Sequence, residues 1–127
     1  MRLGLHKAVT RLLASMIVAA SPLPALAEST SIQQLFAKAD QLCLHRHQDP
    51  DSDAYKQCRA KQSIAIARLM QGMAMLPDQT AFGPLFQACL LKGPDMAAGF
   101  PDFDEGLNCV VAQVPTTRAI FFSDEQQ

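Results

Sequence analysis

Between Cys43 and Asp53 the chain carries a candidate ligand at every second position: Cys43, His45, His47, Asp49, Asp51 and Asp53. Asp49, Asp51 and Asp53 fall on the first three acidic positions of a calcium-binding helix–loop–helix. The match then stops, because Ala54 stands where the sharp turn needs glycine and Ala60 where a bidentate glutamate would close the calcium shell. His45 and His47 are two residues apart, so on a helix they point about 200° from each other. They could share a metal only where the helix has unwound. Polar residues at a fraying helix end, followed by acids that cap the next helix, are the simpler expectation. A second cluster is Met70, Met73 and Met75, with Met96 further along. Thioethers are soft ligands that suit Cu(I), and Met70 and Met73 share a helix face. The same spacing is how methionine fills a core. Core packing is therefore the first reading. A copper-binding protein using His45, His47, Met70 or Met73 is the alternative.

For catalysis the sequence offers little. It contains no G-x-S-x-G, H-E-x-x-H, phosphate loop or C-x-x-C-H haem site. His45 and His47 are the only histidines after residue 27, which limits Ser–His and Cys–His schemes. Asp102, Asp104 and Glu105 could form a carboxylate pair, but they stand where a helix start favours negative charge. The expectation is a non-enzymatic protein without a cofactor.

The elements that hold these residues begin with an export signal. Arg2, Lys7 and Arg11 form a basic n-region, Leu12 to Ala20 an apolar h-region, and Ser21-Pro22-Leu23-Pro24 a break before Ala25-Leu26-Ala27. That plan predicts a cleavable signal peptide over residues 1–27, with the mature chain starting at Glu28. The apolar run is about half the roughly 20 residues that a membrane span needs. No membrane insertion of the mature chain is expected. Removing three of the 11 basic residues leaves 8 against 12 acidic ones, a net charge of about −4. A mildly acidic domain without a basic stripe is a poor candidate for nucleic acid. Residues 28–127 suffice for one domain with a modest core.

Four helices are predicted in that domain. Ser31 with Gln34 forms a capping signature, followed by an apolar stripe of Ile32, Leu35, Phe36, Ala39, Leu42 and Cys43. Asp49-Pro50 ends this helix. Asp51, Ser52 and Asp53 can all cap a second helix from about Ala54 to Met75, whose buried side is expected to hold Tyr55, Cys58, Ile66, Leu69, Met70 and Met73. A third starts near Pro84, carries Leu85, Phe86, Cys89 and Leu90, and ends at Gly93-Pro94. Asp102 with Glu105 opens a fourth, with Leu107, Val110, Val111 and Val114 on one side, and Pro115 stops it. The tail Ala119-Ile120-Phe121-Phe122 is apolar enough to pack or to pair as a short strand, and Ser123 to Gln127 should fray.

Four cysteines in a small exported domain predict two disulfides. Three pairings are possible. Cys43 and Cys58 are equidistant from the Pro50–Asp51 bond, inside the Asp49-to-Asp53 turn, and Cys89 and Cys109 from Gly99. In an antiparallel hairpin such residues face each other, as the short Cα separation of a disulfide requires. The expected pairs are Cys43–Cys58 and Cys89–Cys109, giving an all-α fold of two stapled helical hairpins.

The run Leu42-Cys43, Asp49-Pro50, Ala54-Tyr55 and Cys58 opening a long helix, followed by Leu76-Pro77-Asp78, Thr80 and Leu85, resembles the periplasmic immunity proteins of type VI secretion systems. The resemblance spans Leu35 to Leu85. It implies a small disulfide-bonded helical domain that binds and blocks a toxin in the periplasm, commonly a peptidoglycan amidase. The chain departs from that pattern at Arg59-Ala60, where the family tends to have Gly-Tyr, at Met75, where it tends to have cysteine, and in the 18 residues that follow Cys109. Together these readings predict a periplasmic or secreted binding protein whose partner is another exported protein, with the loops around Asp51 and Phe100 as the expected contact surface.

Overall fold

The computed structural model describes residues 23–126, with side chains from 31 to 125. Residues 1–22, most of the predicted signal segment, lie outside the described residues. The chain divides into two units, 1–33 and 34–127, and the account below concerns the second. Among the described residues all regular structure is helical: α1 (Leu23–His47), α2 (Asp53–Met75), α3 (Phe82–Leu91), α4 (Phe103–Gln113) and the single turn α5 (Arg118–Phe121), with 3-10 turns at Met96–Ala98, Pro115–Thr117 and Ser123–Gln126. None of these helices is long and apolar enough to cross a membrane.

Local signals account for most boundaries. Ser52 is the N-cap of α2, its hydroxyl accepting from the Tyr55 amide at 3.2 Å. Asp102 caps α4 in the same way, accepting from the Glu105 amide at 3.0 Å. Gly99 takes the left-handed conformation that closes the short turn before α4, at φ 87°, a region that side chains with a Cβ disfavour. Pro84 lies in the first turn of α3 but is not its start; Phe82 is. The Ser31–Gln34 signature does not begin a helix, since α1 is already helical from Leu23. Ala25, Leu26, Ala27 and Glu28 are strong helix formers, and a capping pair marks a start only where the preceding residues are not helical.

Both expected disulfides are present. Cys43–Cys58 joins α1 to α2 and Cys89–Cys109 joins α3 to α4, each with a Cα separation of 5.7 Å. The chain therefore builds two stapled hairpins. The first buries Ala39, Leu42, Cys43, Tyr55, Ala65 and Ile66. Ala39, Ala65, Ile66 and Phe103 form one core cluster; Phe82, Cys89, Leu107, Val110, Val111, Phe121 and Phe122 form the other. The buried side of α2 includes Ala65, in one cluster with Ala39 of α1, and Gly72, rather than Met70, which is 44 % exposed. Ile32, Phe36 and Val114, expected on buried stripes, are exposed as well.

The tail differs most from the sequence reading. Arg118–Phe121 makes a turn of helix rather than a strand, and Phe121 and Phe122 enter the core. Phe121 stacks on Phe82 with ring centroids 4.9 Å apart. The guanidinium groups of Arg68 and Arg118 lie over the Phe122 ring at 4.5 and 5.2 Å. Arg68 also holds Asp124 at 2.7 Å and Arg118 holds Glu125 at 3.0 Å, so Ser123–Gln126 form an ordered 3-10 turn instead of fraying.

Gly72 makes this docking possible. A Cβ at residue 72 would fall inside the van der Waals surface of the Phe121 ring. Gly→Ala in a helix ordinarily stabilises by up to about 1 kcal/mol. Here overpacking, about 1–3 kcal/mol, outweighs that gain. Gly72→Ala is expected to lower the urea midpoint and to expose Phe122 and Asp124 to hydrogen exchange, whereas a more stable Gly72→Ala protein would contradict the packing described.

Candidate functional site

The end of α1, the first half of α2 and the start of α4 enclose an open polar cavity of about 310 Å³. Arg46, His47, Lys61, Asp102, Asp104 and Glu105 bring both signs of charge to it, and Cys58 of the first disulfide lies in its wall. Each side chain arrives there for a local reason. Arg46 and His47 occupy the last turn of α1, where a cation complements the carbonyl end of the helix. Asp102, Asp104 and Glu105 occupy the cap and first turn of α4, where a carboxylate complements the amide end.

At the back of the cavity is a buried polar cluster. Gln62 and Asp102 are 2 % and 4 % exposed. The Gln62 amide nitrogen donates to Asp102 Oδ1 at 2.8 Å, and its carbonyl oxygen accepts from the Phe103 amide at 2.9 Å. Arg46 places one nitrogen 2.8 Å from Asp102 and 2.6 Å from Asp95. A single guanidinium thus ties the end of α1 to both ends of the loop between α3 and α4. No buried side-chain polar atom among the described residues is left without a partner.

These contacts set the ionisation of the carboxylates. Burial pushes the Asp102 carboxyl up, but hydrogen bonds from the Glu105 amide, Gln62 and Arg46, together with the Arg46 charge, outweigh it and hold the group below the ordinary carboxylate range. Asp104 goes the other way, raised by burial and by the neighbouring Asp102 charge, with Lys61 and Arg68 pulling it back in part. A carboxylate lowered on folding stabilises the protein above its unfolded value, near 3.9, and loses that contribution as pH falls through the folded value. The urea midpoint is therefore expected to be lower at about pH 3 than at about pH 7. Asp102→Asn should lessen that pH dependence; an unaltered pH dependence in the variant would show that Asp102 does not carry it.

The structure separates the other singled-out residues. All four cysteines are in disulfides. His45 leaves the polar cavity to His47: its ring stacks on Phe100 with centroids 4.6 Å apart, and its Nε2 lies 3.7 Å from Asp95 Oδ1. Met73 packs against the larger core cluster, Met70 faces outward, and Met75 is 63 % exposed. Among the described residues no group of three or more His, Cys, Asp or Glu side chains is arranged to hold a metal ion. Asp49 and Ser52 organise the turn, Asp49 Oδ1 accepting from the Asp51 amide at 2.9 Å. The two loops expected to meet a partner thus differ: Asp51 is exposed, while Phe100 is half-buried against His45.

No protein-family model, curated protein or solved structure matches this chain.

The Arg46–Asp102–Gln62 cluster escapes sequence reasoning because Asp102 lies 40 or more residues from each of the other two. Asp102 is legible as a helix cap, and nothing in that signature reveals that the same carboxylate also receives a guanidinium.

Proposed function

We propose that the chain is exported to a periplasm or beyond and acts there as a non-enzymatic protein-binding domain, most concretely an immunity or inhibitor protein that neutralises a hydrolase. One observation supports this reading above the others. Each hairpin is closed by its own disulfide, and the loop between α3 and α4 is tied to the end of α1 through Asp95, Arg46 and the His45–Phe100 stack. Helix ends and loops held in this way lose little conformational freedom when a partner docks. Disulfides also suit an oxidising compartment.

The test is retention of a partner. The oxidised protein, immobilised and exposed to envelope extract of its host, is expected to retain a hydrolase in stoichiometric amount and to suppress that enzyme's activity when added back. Recovery of no stoichiometric partner, or of one whose activity is unaltered, would overturn the inhibitor reading.

A further inference from the structure

A second cavity, of about 250 Å³, lies between α1, α3 and the loop before α4. Its walls are Leu35, Phe86, Leu90, Leu91, Met96 and Phe103, and no carboxylate lines it. Leu91 on its edge is 62 % exposed. This volume falls below the roughly 300–1,000 Å³ of sites that enclose a small organic ligand. It suits one or two apolar side chains offered by a larger molecule, with Met96 able to adjust to their shape.

The charge around the groove sets the partner's chemistry. The arginines of residues 34–127 all have carboxylate partners: Arg46 with Asp95 and Asp102, Arg59 with Asp40, Arg68 with Asp124 and Arg118 with Glu125. Lys38, which lines the groove, and Lys92, which follows Leu91 at the end of α3, form no ion pair among the described residues. On a chain whose acidic residues outnumber the basic ones, an apolar groove that no carboxylate lines, with the unpaired Lys38 in its wall and the unpaired Lys92 next in the chain to its Leu91, complements one kind of surface. We propose that it docks an exported protein through an apolar anchor residue flanked by aspartate or glutamate. This rests on the binding function proposed above and assigns it a surface: the apolar anchor supplies contact area, and the lysines orient the acidic flank and speed encounter.

Photo-cross-linking in the intact host tests it. The full chain is produced with Leu91→p-benzoylphenylalanine, and with the same replacement at Val114, at the opposite end of the α3–α4 hairpin, as the control. Both positions are exposed, and retention of both disulfides on a non-reducing gel verifies the fold. The residue-91 probe is expected to join another exported protein at an apolar residue within two positions of Asp or Glu, and the residue-114 probe to leave that protein unlabelled. Combining Lys38→Glu with Lys92→Glu should lower the cross-link yield about tenfold, whereas Lys56→Glu should leave it within about twofold. Cross-links only to a second copy, to the chain's own N-terminal segment or to lipid, no cross-link, or a yield indifferent to the charge reversal would each overturn the proposal. A stoichiometric hydrolase retained by immobilised protein while the residue-91 probe stays silent would remove the groove and leave the binding function standing. Failure of both would remove both.

Discussion

Reduction of both disulfides is expected to unfold the domain or leave it close to its midpoint without denaturant. Each bridge closes a short segment, with sequence separations of 15 and 20. In the chain-entropy account such loops contribute about 3 kcal/mol apiece by restricting the unfolded chain. A domain of this size has about 5–15 kcal/mol in total, so about 6 kcal/mol is a large share of it. The two bridges should not be equivalent. α3 and α4 share a continuous apolar cluster with α5, whereas α1 contributes Ala39, Leu42 and Cys43, with Leu35 partly buried, to its side of the fold. Replacing Cys43 and Cys58 by alanine should therefore loosen α1 first, seen as faster hydrogen exchange over residues 34–47 at a denaturant concentration that leaves α4 protected. Far-UV circular dichroism through a urea titration, with and without dithiothreitol, measures the whole effect. A reduced protein with an unmoved midpoint would mean that the apolar clusters alone hold the fold.

The second large effect is expected from Asp102→Ala. That carboxylate caps α4, accepts from Gln62 and balances Arg46 while 4 % exposed. Its loss strands the Gln62 amide in a buried place and leaves Arg46 with Asp95 alone. The lost cap accounts for about 1 kcal/mol of destabilisation, and the stranded buried amide of Gln62 for about 1–3 kcal/mol more. The expectation is a loss of about 3 kcal/mol, enough to lower the melting temperature by some 12–24 °C at roughly 4–8 °C per kcal/mol. Asp102→Asn keeps an acceptor for the Glu105 amide and should cost less than Asp102→Ala. Equal losses for the two would mean that the cap contributes nothing and the charge everything.

Local rules carried the sequence reading a long way. Helix boundaries at Ser52 and Asp102 follow from side-chain oxygens within reach of the amides they satisfy, and both disulfides follow from the symmetry of two antiparallel hairpins about their turns. Contacts between distant elements were not accessible to those rules. The apolar periodicity of α2 marks Met70 for the buried side, yet Met70 is exposed and the small Ala65, in one cluster with Ala39 of α1, is buried. Gly72 gains its role only from the Phe121 ring that lies against it. Arg68 meets its partner Asp124 across 56 residues of chain. The polar cavity and the apolar groove both draw on at least three separate elements, so no single stretch of sequence announces either.

Peptide mapping without reduction, on protein recovered from the host's envelope or medium, tests the central claim of an exported chain built from two stapled hairpins. The account predicts peptides joined through Cys43–Cys58 and Cys89–Cys109 and a first peptide beginning at Glu28. A Cys58–Cys89 link, free thiols, or a chain that still carries its first 27 residues would contradict it.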